Sequence, residues 1–299
     1  MKMKIKNNII TPFLLLLLLV LLSYLFYYYI DKINAMFLLL HFTVNLRSRE
    51  HFTGNHRTAF CLLVREPQVV WLDFLNSFTE YYDVFIAIDN QIDYTDIKQT
   101  YSNITFIQIG DDKCEQHGYI NSDYYFKPVV ATDRAFYYFN RINKKYDHIW
   151  FCEDDVFMKN VNSIVDLDQQ YPTDDFIVPN IEMNRDGQPD GWSHWQNIDG
   201  TLSLPWAHHI ICLTRISREL MNKVDEFVQK HHKLIYKEIL FHTLALHNNM
   251  SIITPSELSK IRYPEEWDML DIIGDHNRGE KYIYHPIKDI QKHIEIRKN

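Results

Sequence analysis

The chain has 299 residues, enough for one large domain or two small ones. With 46% hydrophobic residues, 14% aromatic residues and only 8 Gly and 10 Pro, its composition excludes a collagenous, low-complexity or largely disordered protein. Residues 1–44 carry four Lys and one Asp, a net charge of +3, which leaves 27 Lys and Arg against 38 Asp and Glu in residues 45–299. A body this acidic excludes a general nucleic-acid-binding surface, because phosphate binding requires a basic face.

Residues 11–30 (TPFLLLLLLVLLSYLFYYYI) contain no charged side chain and are long enough to cross a bilayer as a helix. Three lysines precede this segment, namely Lys2, Lys4 and Lys6. The positive-inside rule therefore predicts a cytosolic tail at 1–10, a transmembrane anchor at 11–30 and a type II membrane protein with its body in the lumen of the ER or Golgi. A cleaved signal peptide is the alternative, but the apolar run is longer than usual and no small-residue cleavage site follows it. Residues 31–58 are interpreted as a stem.

Residues 59–299 alternate short apolar runs with helical patterns, which predicts one α/β domain. In its first half the predicted strands are Ala59–Val64, Asp83–Ile88, Ile104–Ile109 and His148–Cys152, and the predicted helices are Val69–Tyr81 and Lys127–Arg141. Short apolar strands separated by helices favour a parallel sheet covered on both faces. Ligands of such sheets bind beyond the carboxyl ends of the strands, so the residues directly after each strand are candidate site residues.

The second half of the body has a less regular pattern. Its predicted strands are Phe176–Pro179, His209–Thr214 and Ser251–Thr254, and its predicted helices are Ser217–His232 and Leu234–Asn248. Residues 182–206 are predicted to form a loop, and a loop of this length inside a compact domain is usually functional. Its tryptophans either stack on a sugar or anchor the loop in the core, and His208-His209 could line an acceptor site.

Three consecutive acids, Glu153-Asp154-Asp155, lie between two apolar runs, where charges are costly to bury without a partner. On an extended backbone Glu153 and Asp155 point the same way, and converging carboxylates repel each other unless a cation lies between them. The next cation along the chain is Lys159, so no neighbour in sequence neutralises them. Oxygen ligands of this type suit Mg²⁺ or Mn²⁺. An ordinary acidic turn is the alternative interpretation.

At this point the chain resembles the GT-A glycosyltransferases, whose DXD motif is often Glu-Asp-Asp in the N-acetylglucosaminyltransferase I-like enzymes. The resemblance implies a Rossmann-like, mixed and mainly parallel sheet flanked by helices, here preceded by one transmembrane helix. It also implies Mn²⁺ or Mg²⁺ as cofactor and a nucleotide-sugar donor. Asp155 would be a ligand of the metal that bridges the donor diphosphate, and Glu153 would face the ribose or a metal-bound water. Asp89 would lie near the nucleoside and Arg65 near the base or phosphates. Lys127 is also expected to bind the donor.

Two late segments match further roles of the same family. In Tyr282–Lys288 (YIYHPIK), His285 would complete the metal site and Lys288 would contact the diphosphate. In the run that begins at Lys237, Glu238 would be the general base that activates the acceptor hydroxyl if the enzyme inverts configuration. A surface turn and an ordinary solvated helix carboxylate are the respective alternatives.

The sequence therefore predicts a metal-dependent glycosyltransferase that moves a hexosyl or N-acetylhexosaminyl group from a nucleotide sugar to a glycan, glycoprotein or glycolipid hydroxyl. An inactive GT-A partner or chaperone of another transferase is the first alternative, and a metal-dependent phosphodiesterase or nucleotidyltransferase is the second. The sequence lacks G-x-S-x-G, P-loop and G-x-G-x-x-G motifs, so hydrolase, kinase and dehydrogenase functions have no signature here. Cys114 and Cys212 are either a disulfide or free thiols, which the sequence does not decide.

Overall fold

The computed structural model describes residues 57–122, 127–188, 192–198 and 200–298. All of these belong to one compact unit, Asn55–Asn299. Within the described ranges, no helix is both long enough and apolar enough to cross a membrane. This finding corrects the prediction of a transmembrane helix ahead of the α/β body, and with it the predicted single-pass location in the ER or Golgi membrane. The segment on which that prediction rests, 11–30, lies outside the described residues.

The centre of the body is a mixed sheet. Its strands are β1 Thr58–Val64, β2 Asp83–Ile88, β3 Ile104–Ile107, β4 His148–Glu153, β5 Phe176–Ile177, β8 Leu213–Ser217 and β9 Ile252–Ile253. They are ordered β3-β2-β1-β4-β8-β5-β9. The first four are mutually parallel, β8 is antiparallel to β4 and β5, and β5 is parallel to β9. This is the mixed, mainly parallel α/β sheet that the sequence predicts.

The helices agree with most of the helical patterns in the sequence. They are α1 Val69–Asn76, α2 Thr95–Thr100, α3 Asp111–Gln116, α4 Ala131–Tyr137, α5 Asn162–Gln170, α6 Arg218–His231, α7 Lys237–His247, α8 Met269–Asn277 and α9 Ile290–Lys298. The helix predicted from Lys127 begins at Ala131 instead. The carboxylate of buried Asp133 accepts hydrogen bonds from the Val130 and Ser122 N–H groups at 2.8 and 3.1 Å, and Val130 keeps an extended backbone.

Local sequence explains α6 almost completely. Ser217 is its N-cap, and the side-chain oxygen accepts a hydrogen bond from the Leu220 N–H at 3.1 Å. Leu220, Val224 and Val228 recur at a spacing of four and are all fully buried, as expected for one face of a helix. The helix ends where His232 takes a left-handed conformation with φ of 52°. Capping and periodicity together therefore define both ends of this helix.

The segment predicted as a long loop is the connection of a hairpin. Strands β6 Glu182–Asn184 and β7 Trp206–His208 pair in antiparallel fashion, and a 3-10 helix, Ser193–Ile198, lies between them. The strand predicted at His209–Thr214 therefore begins only at Leu213, because the chain must leave this hairpin before it joins the central sheet. The apolar pattern of the sequence does not show where the chain leaves the hairpin and begins to pair with β4 and β5.

The C-terminal part of the chain, for which the sequence predicted no elements, lies against the residues that follow β4. Strands β10 Lys260–Ile261 and β11 Tyr284–His285 pair in parallel. Phe157 and Tyr284 exchange two backbone hydrogen bonds of 2.8 and 2.9 Å. In α9, buried His293 packs against Phe157, with ring centroids 5.4 Å apart. This packing holds the segment around β11 beside the acidic triplet.

A buried ion pair links α5 to the central sheet. Arg215 of β8 donates to Asp168 of α5 at 2.6 Å, and the two side chains are only 1% and 8% exposed. Tyr82 and Trp150 also donate to the same carboxylate, at 2.7 and 3.1 Å. Such a network stabilises a fold only when it is complete, because a partner left alone is a buried, uncompensated charge.

We therefore expect Asp168→Ala to lower the free energy of unfolding by about 3–5 kcal/mol. Asp166→Ala is the matched control, since Asp166 lies on the same helix and its side chain is 43% exposed. The control removes only the exposed ion pair of Asp166 with Lys281 and should change stability by no more than about 1 kcal/mol. Urea denaturation of the two variants and the wild type measures both values, and equal losses would contradict a special role for the buried pair.

Candidate active site

The acidic triplet lies where β4 ends. Glu153 is the last residue of β4, and Asp154 and Asp155 form the turn that follows. In β1, parallel to β4, Leu63 is the register partner of Glu153, so Arg65 follows at the same edge of the sheet. Arg65 is exposed, and its charge acts on the Asp154 carboxyl. The structure therefore places the triplet at the carboxyl ends of the parallel strands, as expected for a ligand site.

Two cations from distant parts of the chain reach the triplet. Lys237, the first residue of α7, donates from Nζ to Glu153 Oε1. His285 of β11 approaches Asp155, with Nε2 at 3.2 Å from Oδ1. The idea that the triplet lacks a neutralising partner, drawn from the distance to Lys159 along the chain, is therefore wrong. The partners come from the tertiary structure.

Backbone contacts hold His285 in place. Its Nδ1 lies 2.8 Å from the carbonyl oxygen of Arg262, an arrangement in which Nδ1–H donates and Nε2 faces Asp155. On the other side, the Ile287 N–H donates to the carbonyl oxygen of Asp155 at 2.8 Å. An imidazole oriented by a carbonyl at one nitrogen is a common arrangement in metal sites.

The carboxyl groups of the triplet differ in their electrostatics. Burial, reinforced by the charges of Asp155 and Glu153, raises the pKa of Asp154 to about 6. Burial alone would also raise the pKa of Asp155, but the positive charge of His285, whose Nε2 lies 3.2 Å from Asp155 Oδ1, outweighs it and holds that pKa below its usual value. Burial would lower the pKa of His285, and here Asp155 outweighs it and raises that pKa. Asp155 and His285 therefore stabilise each other as an ion pair.

Glu238, the predicted general base, lies close enough to Glu153, Lys237 and His285 for their charges to act on it. It is in the first turn of α7, next to Lys237, and the Ile211 N–H donates to its carboxylate. Burial is the main reason that its pKa is raised to about 8, and the charge of Glu153 adds to this, while Lys237 and His285 oppose it. In the ligand-free protein the carboxyl group of Glu238 therefore holds its proton at neutral pH.

This raised pKa predicts a pH-dependent stability. A carboxyl group whose pKa rises from 4.5 to about 8 on folding favours the folded state below pH 4.5, and this contribution is lost as the pH increases through 8. Gln cannot ionise, so the stability of Glu238→Gln relative to wild type should increase between these pH values. The gain is on the order of 4 kcal/mol, since one pKa unit corresponds to about 1.4 kcal/mol. Denaturation series at pH 4.5 and 8.5 measure it. Glu219→Gln, in the exposed first turn of α6, is the charge-loss control.

The predicted donor-binding residues form a second charged group at the same edge. Asp89 follows β2 directly and is paired on two sides: Arg134 lies 3.1 Å from Oδ1 and Lys127 lies 3.4 Å from Oδ2. Arg134 is buried and also pairs with Asp111, a contact that the sequence did not suggest. Lys288 is exposed, three residues after His285. Their roles in donor binding remain predictions.

Among the described residues, Glu153, Cys212 and His285 form a group that could hold a metal ion, with potential ligand atoms within 4.8 Å of one another. Asp155 Oδ1 adds to this group: it is buried, and no donor among the described residues reaches it with hydrogen-bond geometry. Two carboxylates and an imidazole fit Mn²⁺ or Mg²⁺, so the residues present suit the predicted cofactor. Cys114 and Cys212 are both free and buried, and they do not form a disulfide.

Buried and half-buried aromatic rings adjoin the start of α7. We call them the aromatic cluster, and its members are Trp192, His194, Trp195, Trp206, His208 and Tyr236. Trp192 stacks on His208 with centroids 3.9 Å apart, and His194 stacks on Tyr236 at 4.2 Å. The tryptophans pack against the main core, which favours the anchoring interpretation of the loop. Tyr236 directly precedes Lys237, so the cluster borders the site.

Sequence reasoning missed two residues of the site. Lys237 stood beside Glu238 in the segment that was singled out, but its partner is 84 positions away. Cys212 was considered only for a disulfide. It reaches the site because β8 is antiparallel to β4, and the Glu153 N–H donates to the Cys212 carbonyl at 2.8 Å. Neither contact has a local signal in the sequence.

Comparisons with known proteins give a limited result. No protein-family model and no curated protein matches the sequence. Among solved structures, an active-site mutant of LgtC aligns with a TM-score of 0.42 at 10% identity, over 80% of this chain and 95% of that one. Mouse xyloside xylosyltransferase 1 in its apo form aligns with a TM-score of 0.39 at 10% identity, over 77% and 97% of the two chains. Because both TM-scores are below 0.5, the functional argument depends on the residues of this chain.

Proposed function

We propose that this protein is a metal-dependent glycosyltransferase that moves a sugar from a nucleotide-sugar donor to an acceptor hydroxyl. The observation that carries the proposal is the meeting of Glu153, Asp155, His285 and Glu238 at the carboxyl ends of the parallel strands. Glu153, Asp155 and His285 combine two oxygen ligands with one imidazole. Glu238 is a carboxyl group within electrostatic reach of Glu153 and His285.

The donor side of this proposal depends on charge. The body is strongly acidic, so an anionic nucleotide sugar needs local cations in order to bind. Arg65 and Lys288 are exposed cations near the triplet, and Lys127 is a half-exposed cation paired with Asp89. We assign all three to the donor phosphates and base. Glu153, Asp155 and His285 would hold the Mn²⁺ or Mg²⁺ ion, which when bound neutralises the donor diphosphate as it leaves. Asp89, already oriented by Arg134, is assigned to the nucleoside.

The acceptor side is assigned to Glu238. Glu238 accepts the proton of the attacking hydroxyl in our proposal, which requires its ionised form. Since its pKa is about 8 in the ligand-free protein, the rate of transfer should increase with pH up to that region.

The test is to incubate the protein with Mn²⁺ and a panel of nucleotide sugars, with and without simple saccharide acceptors. Transfer, or slow donor hydrolysis with release of the nucleoside diphosphate, supports the proposal. Cleavage inside the diphosphate, which releases a nucleoside monophosphate, would instead indicate the phosphodiesterase alternative. Donor binding without turnover would favour an inactive partner of another transferase. Failure to bind any donor in the presence of Mn²⁺ would contradict the proposal.

A further inference from the structure

The thiol of Cys212 lies among charged groups. Its potential ligand atom, Sγ, is within 4.8 Å of a Glu153 carboxylate oxygen and a His285 ring nitrogen. The charges of Glu153, Lys237 and Asp155 all act on this thiol. By contrast, Cys61 and Cys114 pack within the main apolar cluster of the core. Cys212 is therefore placed as a donor atom of the site as well as a core residue.

The backbone holds the three donors together independently of any ion. The Glu153 N–H donates to the carbonyl of Cys212, which directly precedes β8, so the two residues are neighbours where the adjacent strands β4 and β8 meet this edge of the sheet. The Nδ1 atom of His285 is occupied by the Arg262 carbonyl at 2.8 Å, which leaves Nε2 as its ligand atom. Cys212 is 3% exposed and His285 is 4% exposed, so neither side chain has room to turn out to solvent.

One thiol, one imidazole and one carboxylate are a different ligand set from the one that Mn²⁺ or Mg²⁺ requires. Thiolate selects soft or borderline ions such as Zn²⁺, whereas Mg²⁺ and Mn²⁺ prefer oxygen. We propose that this site also binds a thiophilic divalent cation of the Zn²⁺ class through Cys212, His285 and Glu153. On binding, the Cys212 thiol loses its proton to solvent and the metal–sulfur bond forms, with no change of oxidation state. Lys237 releases Glu153 in the same event.

Binding of a thiophilic ion regulates the site by blocking the binding of Mn²⁺ or Mg²⁺. Glu153 and His285 belong to both ligand sets, so a bound thiophilic ion excludes the oxygen-preferring ion of the proposed function. Zn²⁺ therefore acts as an inhibitor that competes with Mn²⁺. This consequence rests on the proposed function, whereas the binding of the thiophilic ion to Cys212 does not.

The test uses Co²⁺ as a spectroscopic substitute for Zn²⁺ in the full-length protein. A thiolate-to-cobalt charge-transfer band is expected in the wild type, unchanged in Cys114→Ser and absent in Cys212→Ser. Zn²⁺ should remove the band at one equivalent, and excess Mg²⁺ should not. Zn²⁺ affinity should decrease at least about 10–100-fold in Cys212→Ser, the range that loss of an outer-shell partner already costs. Absence of the band in the wild type, or its persistence in Cys212→Ser, would overturn the proposal.

A second measurement covers the case in which Cys212→Ser does not fold. The zinc X-ray absorption spectrum of the wild-type protein should show one sulfur scatterer at about 2.3 Å, the usual Zn–S distance. A spectrum with only nitrogen and oxygen scatterers would contradict the role of Cys212. Neither readout uses turnover, so a protein that binds Co²⁺ through Cys212 but transfers no sugar would refute only the proposed function.

Discussion

Asp155→Asn is expected to abolish the Mn²⁺-dependent part of nucleotide-sugar binding and, with it, turnover. Asp155 Oδ1 is buried and accepts no hydrogen bond of good geometry among the described residues, and it lies 3.2 Å from Nε2 of His285. The neutral amide removes the charge that a divalent ion would bind, while the Ile287 N–H still donates to the residue 155 carbonyl and keeps the backbone in place. Donor affinity in the presence of Mn²⁺ should therefore decrease at least about 10–100-fold.

Isothermal titration of the nucleotide sugar, with and without Mn²⁺, measures this effect. Glu265→Gln is a suitable control, because Glu265 is an exposed acid and its removal leaves the proposed metal ligands intact. His285→Ala should weaken the same Mn²⁺ response more mildly than Asp155→Asn does. Equal and metal-insensitive affinities in wild type and Asp155→Asn would show that the triplet is only a turn after β4, and the proposed function would lose its main support.

Glu238→Gln is expected to lower the rate of transfer about 10²–10⁴-fold while donor affinity stays nearly unchanged. Gln keeps the size of the side chain but cannot accept a proton. The pH profile adds a second readout: the rate of the wild type should increase towards pH 8, where its carboxyl group ionises, and this increase should be absent in the variant.

Glu219→Gln controls for the loss of an acid from the first turn of a helix, since Glu219 occupies that position in α6 and lies away from the triplet. Its rate and pH profile should match those of the wild type. Full activity of Glu238→Gln would remove Glu238 from the mechanism. Loss of donor binding in that variant would instead assign Glu238 to the donor side.

The strands of the first half were predictable because β1, β2 and β4 are short and almost entirely apolar, and β3 alternates apolar Ile and Phe with Thr105. Residues 60–62 of β1 and 86–88 of β2 are completely buried, as expected for central parallel strands that are covered on both faces. Helix α6 was predictable for a similar reason, since a capping serine and a regular apolar face are both local features. The place of the acidic triplet followed directly, because it comes immediately after the predicted strand His148–Cys152, and the observed β4 ends at Glu153.

The partners of the triplet were not predictable in the same way. His285 reaches Asp155 through backbone pairing between Phe157 and Tyr284, which are 127 positions apart, and Lys237 reaches Glu153 only because α7 begins at that edge of the sheet. The predicted role of His285 came from a resemblance in the order of motifs, and no local signal in the sequence places the ring beside Asp155.

The sequence by itself determined where the apolar strands and the amphipathic helix lie and where the acids follow β4, because burial and capping depend on residues a few positions apart. Only the tertiary structure decided which cations and which thiol meet those acids. Those contacts depend on the antiparallel insertion of β8 and on the packing of the C-terminal segment. Both arrangements depend on how segments far apart in the sequence pack together, so no short stretch of the sequence predicts them.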